Sequence, residues 1–330
     1  MTEQLKKIYI TGGAGYVGAV LVPRLLLEGY SVTVLDLMIY GEEVIKSHSK
    51  LNIIKGDIRD EVLLRKTLPN HDAVIHLACI SNDPSFELNP NLGKSINLDA
   101  FEPLVKASRD SGIKRFVYAS SSSVYGVKQE QNVHEGMKLE PLTDYSKFKA
   151  DCESLLTKYQ SDDFTTVTIR PATVCGYSPR QRLDVVVNIL TNLAFHKREI
   201  SVFGGAQLRP NIHIADMVEA YLALLNAPKE KIAGEIFNAG TENQTVLELA
   251  QTVQTVMGGD VKLVTTPTND NRSYHISSKK IADKLGFIPS HTIADASQDL
   301  KKALEQGLLP NSLTDERYFN IKRMQNLSLQ

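Results

Sequence analysis

A chain of 330 residues is long enough for one large or two modest domains around a sizeable core. Its 42% hydrophobic and 23% charged residues are ordinary for a soluble globular protein. A net charge of −1 excludes a broad basic field for nucleic acid or an anionic membrane, so any anionic ligand must be held by local groups.

The opening MTEQLKKIYITGG runs straight into an apolar, β-branched segment, Lys7–Thr11, which reads as a strand buried on both faces. A helix is expected from about Gly15 to Glu28, with Gly29 in the position of a helix C-cap. Further strands are expected at Ser31–Leu35, Leu51–Lys55, Ala73–Leu77, Arg115–Ala119 and Thr166–Ile169. Helical patterns lie between them at Glu61–Leu68, Leu98–Ser111 and Tyr145–Tyr159. Strands alternating with helices predict a doubly wound parallel sheet of Rossmann type over residues 1–170. From about Pro171 the rhythm changes: helices at Asp184–His196 and Ile214–Asn226 flank a turn at Phe203–Gly205. A strand at Glu235–Asn238 and a helix from Val246 follow, and the tail from Asn311 is polar and weakly patterned. Residues 171–330 therefore read as a smaller α/β substrate domain, interleaved with the first.

Cys79, Cys152 and Cys175 are odd in number, far apart and without CxxC or Cys/His ligand spacing, so neither a disulfide framework nor a metal site is expected. There is no signal-peptide hydrophobic region, and apolar runs fall far short of the roughly 18–20 residues that span a bilayer. The expectation is a cytoplasmic protein that touches neither membrane nor nucleic acid.

Gly12, Gly15 and Gly18 follow the first strand and open the first helix with the spacing GxxGxxG. A turn without side chains lets a diphosphate approach the backbone, and the helix start supplies free N–H donors. Asp36 ends the second strand about 20 residues on, placed for the adenosine ribose hydroxyls of a dinucleotide. No Arg follows it, as Leu37 and Met38 come next, which favours NAD over NADP. Asp57 is either a partner for the adenine amine or a helix N-cap.

Tyr145 and Lys149 are four apart, hence on one helix face, and the fifth strand runs into a serine cluster, Ser120–Ser123. Removing a hydride from a carbinol carbon needs a base for the hydroxyl proton. A phenol titrates near 10, and a neighbouring ammonium favours its anion. A serine hydroxyl can then steady the substrate oxygen.

Together these motifs resemble the extended short-chain dehydrogenase/reductases, and among them the NAD-dependent nucleotide-sugar epimerases and dehydratases. TGGAGYVG is similar to that family's TGGAGFIG, HLAC (His76–Cys79) to HLAA, and SSSSVYG to SSxxVYG. YSKFK keeps the Tyr–Lys spacing of YxxSK with Phe148 at its serine. The resemblance implies Tyr145, Lys149 and Ser121 as catalytic residues. It implies a cofactor site of Gly12, Gly15, Tyr16, Val17, Gly18, Asp36, Asp57 and Ile58, with Leu77, Ala78, Asn97, Tyr145, Lys149, Pro171 and Val174. Substrate contacts would come from Ser81, Asn82, Ser121, Ser122, Ser123 and Thr173. QLRPNIHIAD is similar to QxRDFIHVDD, and the Arg272-Ser273-Tyr274 stretch to RxYxxD, which adds Arg209 and Arg272 as clamps for the substrate diphosphate. His213 reads as a buried, hydrogen-bonded histidine.

Where the 4,6-dehydratases carry acidic residues after the active Ser/Thr, this chain has Ser122 and Ser123. The expectation is therefore an NAD-dependent nucleotide-sugar epimerase working through a 4-keto sugar, dimeric through a four-helix bundle that includes the Tyr145 helix. The alternatives are a dehydrogenase or reductase of the same sugars, then a dehydratase, and, in a different class, a non-catalytic NAD-binding protein.

Overall fold

The computed structural model describes residues 5–81, 86, 88–130, 132–268 and 273–327. Its centre is a seven-stranded, wholly parallel sheet in the order β10-β6-β5-β4-β1-β2-β3. The strands are β1 (Lys7–Thr11), β2 (Ser31–Asp36), β3 (Leu51–Lys55), β4 (Ala73–His76), β5 (Arg115–Ala119), β6 (Thr165–Pro171) and β10 (Glu235–Ala239). Their inner residues are apolar on both faces because helices cover both sides, and Ile8, Ile10, Val74, Ile75, Phe116 and Val117 are fully buried. Chain direction reverses its march between β1 and β4, the topological switch point where open α/β sheets bind ligands.

The first helix spans Gly18–Leu27, three residues shorter at its start than the apolar pattern gives, because Gly12–Val17 form the loop that enters it. Gly29, at φ +90°, ends it. The expected Leu98–Ser111 helix is more broken: Pro90–Lys94 is α-helical, Ser95–Asp99 is a π-helical turn, and Phe101–Asp110 resumes the α-helix. The helix bearing Tyr145 runs Asp144–Thr157 and opens with a reciprocal cap between Thr143 and Ser146.

The seventh strand of the main sheet, β10, comes from the second half of the chain. The rest of that half adds two small sheets absent from the sequence reading. One is β11 (Glu242–Thr245), β9 (Leu208–His213) and β7 (Thr173–Cys175); the other pairs β12 (Lys262–Thr266) with β8 (Glu199–Phe203). The helices Val186–Lys197, Val246–Met257 and Ile293–Glu305 pack together over a separate core that includes Val187, Leu190, Val202, Leu249 and Val253. Among the described residues no helix is long and apolar enough to cross a membrane.

Candidate active site

A cavity of about 360 Å³ opens over the C-terminal ends of the parallel strands. Gly12 after β1, Asp36 ending β2, Gly56 after β3, Leu77 after β4, Ala119 ending β5 and Pro171 ending β6 all line it. The glycine loop forms its floor. Gly12 has φ +76°, and a Cβ there would sit 2.5 Å from the Ala78 backbone nitrogen, so no other residue fits. Gly15, Tyr16, Val17 and Gly18 follow along the same wall, at the start of the Gly18–Leu27 helix, where N–H groups lack helical acceptors.

Asp36 is fixed by two backbone donors. The Ala14 N–H donates to Oδ2 (3.0 Å) and the Met38 N–H to Oδ1 (2.8 Å). Burial raises its pKa against those two hydrogen bonds. Each oxygen has acceptor capacity beyond its one backbone donor, and the residue lines the cavity. A floor that only glycine can form, a helix start and a held carboxylate together fit a dinucleotide.

Asp57 lines the cavity beside Ile58, but its carboxylate is also engaged by Arg59 through Nε (2.9 Å) and Nη2 (2.6 Å). Partial burial opposes its charge, yet the Arg59 bonds hold its pKa below the usual carboxylate value. The N-cap of the Glu61–Thr67 helix is Asp60, whose side chain accepts from the Leu63 N–H, so the capping alternative for Asp57 does not hold. Asn97 is a correction. It does not line the cavity, because both ends of its amide are bound to Ile80: Oδ1 accepts from the Ile80 N–H (2.8 Å) and Nδ2 donates to the Ile80 carbonyl (2.9 Å). It shapes the wall without facing it.

Leu77, Ala78, Pro171, Thr173 and Val174 line the middle of the cavity. Beyond them lie Ser121, Ser122, Ser123, Tyr145 and Lys149, which the fold brings together from β5 and the Asp144–Thr157 helix. Lys149 is 5% exposed and donates to the Ala119 carbonyl (2.7 Å). Its Nζ lies 5.8 Å from the Tyr145 ring centre and 5.0 Å from that of Tyr118. Ser121 accepts from the Ser123 N–H (3.2 Å) and shares a hydrogen bond with the Ser123 hydroxyl (2.9 Å).

Beneath the serines, Ser120 donates to Glu153, which pairs with Arg170 (Nε, 2.9 Å); both charged residues are almost wholly buried. Arg170 also donates to the Tyr125 hydroxyl (2.7 Å), which donates to Asn238 on β10 (2.8 Å). His76 is buried below Lys149 and shares a hydrogen bond with Thr11 (2.7 Å). Burial, aided by the Lys149 charge, lowers its pKa to about 3, so it is a neutral residue buried behind the cavity lining.

Ser81 lines the cavity and accepts from Asn320 Nδ2 (2.8 Å). Asn82 and Arg272 lie outside the described residues. Arg209, on β9, is not among the cavity lining; its guanidinium sits 5.2 Å from the ring centre of Tyr274, which is. His213 caps the Ile214–Asn226 helix, its Nδ1 accepting from the Ala215 N–H (3.1 Å), and it lies away from the cavity.

Several lining residues escape the sequence reading: Tyr40, Arg180, Arg182, Asn320 and Met324. The available signal was positional. Arg180 and Arg182 lie in the segment after β7, downstream of the β6 end that lines the cavity, but nothing in their spacing marks a motif.

Comparison with known proteins agrees with this geometry. The model of the NAD dependent epimerase/dehydratase family matches residues 8–240. A UDP-glucose 4-epimerase of Lactobacillus helveticus is 27% identical over 310 residues, covering 88% of this chain and 94% of its own length. A dTDP-D-glucose 4,6-dehydratase of Homo sapiens is 28% identical over 327 residues, covering 91% of this chain and 89% of its own. The solved UDP-glucuronic acid 4-epimerase of Bacillus cereus, in complex with UDP-glucuronic acid and NAD, superposes with a TM-score of 0.82 at 25% identity, covering 91% of this chain and 99% of that one. The match of the family model over residues 8–240 establishes that this chain belongs to the NAD dependent epimerase/dehydratase family and is, like its members, an NAD-dependent enzyme.

Proposed function

We propose that the enzyme is a nucleotide-sugar 4-epimerase, and the observation that carries this reading is that, among the described residues, no carboxylate lines the cavity beside Ser121, Ser122 and Ser123. Among the described residues that line the cavity, the only carboxylates are Asp36 and Asp57, both at the end assigned to adenosine. A 4,6-dehydratase must eliminate water across two carbons, which needs an acid near the sugar. Ser122 and Ser123 hold those positions here, and a serine hydroxyl is a poor proton donor for a leaving hydroxide.

NAD, held by the glycine loop and Asp36, would supply a reversible hydride acceptor when bound. Tyr145 takes the proton of the sugar hydroxyl and later returns it. Lys149, anchored on the Ala119 carbonyl, supplies positive charge beside the phenolic oxygen as that proton moves. Ser121 donates to the substrate oxygen. The Ser120–Glu153–Arg170 network fixes the backbone from which Ser121 projects.

The reading over a dehydrogenase, which exchanges cofactor on every turn, draws on the cavity's outer wall. The Asn320–Asn326 helix closes against the loop after β2, with Arg323 Nε donating to the Ile39 carbonyl (2.6 Å), and Asn320 and Met324 line the cavity. Such a wall favours a retained cofactor.

The test is to incubate protein purified without added cofactor with UDP-, dTDP-, GDP- and CDP-sugars, reading products by NMR and reduced nicotinamide by absorbance. An isomeric sugar without net NADH is expected. Stoichiometric NADH with a keto sugar, or a 4-keto-6-deoxy product, would refute the proposal. Tyr145→Phe should retain NAD and lose about a hundredfold or more of the turnover.

A further inference from the structure

Arg180 is 4% exposed and lines the cavity, yet among the described residues no carboxylate forms an ion pair with it. A guanidinium carries five N–H donors. Among the described residues Arg180 uses one, from Nη2 to Asn320 Oδ1 (2.6 Å), and its Nε–H is buried without an acceptor. The other buried arginines near the site differ: Arg170 is paired with Glu153, and Arg182 with Asp184 (2.6 Å). Nearby acids are engaged elsewhere. Asp184 is held by Arg182 and by the Asn320 N–H (2.9 Å), and Asp36 by Ala14 and Met38. An arginine taken out of water with neither a carboxylate nor a filled set of acceptors is unfavourable unless an anion arrives.

The residue is nonetheless built in. Its guanidinium lies 3.4 Å from the centre of the Tyr40 ring. The loop that carries it is tied to the glycine loop: Tyr16 donates to the Gly176 carbonyl (2.6 Å), and the Ser178 hydroxyl donates to the Tyr16 carbonyl (2.8 Å). Asn320, which holds Nη2, is held in turn by Ser81 and Asp184. Arg180 thus lines the cavity against Tyr40, in the loop that follows Asp36, on a segment bonded to Tyr16 of the glycine loop.

We infer that Arg180 is an anion-binding residue for a bound diphosphate, closing it against the glycine loop from the second half of the chain. The inference rests on the nucleotide-sugar reading above, in which two diphosphates enter this cavity, that of the dinucleotide and that of the substrate. The glycine loop supplies backbone donors from one side, and the Arg180 fork supplies charge from the other. Its position beside Tyr40 and the Asp36 loop places it nearer the dinucleotide.

The experiment uses apoprotein of the full chain and isothermal titration with ADP, which carries the dinucleotide's diphosphate, and separately with UDP. Arg180→Met removes the charge and keeps most of the stem. Its apo melting temperature should equal or exceed that of the wild type, because an unpaired buried charge is gone. Its ADP affinity should fall about ten- to a hundredfold, the worth of a lost charge-assisted hydrogen bond. A loss confined to UDP supports the diphosphate role and assigns it to the substrate. Unchanged affinity for both nucleotides overturns the inference, as does a lowered apo melting temperature with intact binding, which marks a purely structural arginine. If Arg180→Met yields no folded protein, Arg180→Lys decides: it keeps a charge and loses the planar fork. ADP or UDP binding about threefold weaker or more then supports the role, and unchanged binding of both rejects it. Failure of the epimerase reading would show in the products of turnover and leave these affinities untouched.

Discussion

Glu153 and Arg170 form a buried ion pair directly under the serine cluster, with 4% and 2% of their surfaces exposed. Burial opposes the Arg170 charge, but the hydrogen bonds and charge of Glu153 outweigh it and raise the Arg170 pKa. Replacing Glu153 by Gln keeps the shape and removes the counterion. The arginine cannot reach water, so the charge stays buried and uncompensated, a loss of about 3–5 kcal/mol. Ser120 and Arg170 then compete for one amide oxygen, and a hydroxyl left without its acceptor costs about 1–3 kcal/mol more. Against a typical stability of about 5–15 kcal/mol this is a large fraction. Urea unfolding followed by circular dichroism should show the midpoint falling sharply with little change in slope. The double variant Glu153→Met with Arg170→Met should recover most of the loss, because an apolar pair of similar volume replaces the ions. It would not recover all of it, since the Tyr125 hydroxyl loses a donor. The reasoning fails if Glu153→Gln lies within about 1 kcal/mol of wild type, or if the double variant is less stable than Glu153→Gln.

Two further outcomes follow from the residues at and behind the cavity lining. His76, at about pKa 3 in the folded chain against an ordinary 6.5, binds its proton more readily when unfolded. Its contribution is therefore complete above about pH 6.5 and declines as pH falls toward 3, by about 1.4 kcal/mol per unit. By pH 5 that amounts to about 2 kcal/mol, and NMR of the His76 ring should show no titration down to that pH; an inflection near 6 would contradict the burial argument. Gly12→Ala forces a side chain into left-handed backbone and against Ala78. It should lower stability by about 1–2 kcal/mol and strip the purified protein of NAD, and retention of stoichiometric cofactor would count against the floor as described.

What could be read from sequence follows burial on two faces. β1, β2, β4, β5 and β6 are apolar, β-branched runs inside a sheet covered on both sides, and β3 is a more exposed edge strand; the ends of all six are legible within two residues. The glycine loop, Asp36 and the Tyr145–Lys149 pair carry fixed spacings and all reach the cavity. The small sheets do not announce themselves. β7 has only three residues, and β9 contains Pro210, which argues against a strand. The structure accommodates it because β7 pairs with β9 only from Asn211 onward, so the missing N–H of Pro210 faces no parallel neighbour. Asn97 was misplaced for a related reason: its buried amide serves Ile80 rather than a ligand, a distinction set by tertiary contact. The polar tail looked patternless because its helix, Asn320–Asn326, has a single buried residue, Asn320, and that residue is buried through hydrogen bonds.

The distribution of charge along the cavity ties these points together. Its carboxylates, Asp36 and Asp57, sit at one end; Arg180 and Arg182 come from the second half of the chain, and Lys149 stands at the other end beside Tyr145. Asp57 is matched by Arg59 and Arg182 by Asp184. Among the described residues, the lining charges without a charged partner are Asp36, held by two backbone N–H groups; Arg180, held by Asn320; and Lys149, held by the Ala119 carbonyl. A dinucleotide presents ribose hydroxyls, a diphosphate and a second ribose in that order. Asp36, Arg180 and Lys149 are chemically complementary to those groups. Ser121, Ser122 and Ser123 line the same cavity as Tyr145 and Lys149, and under the proposed reading their hydroxyls would face the sugar.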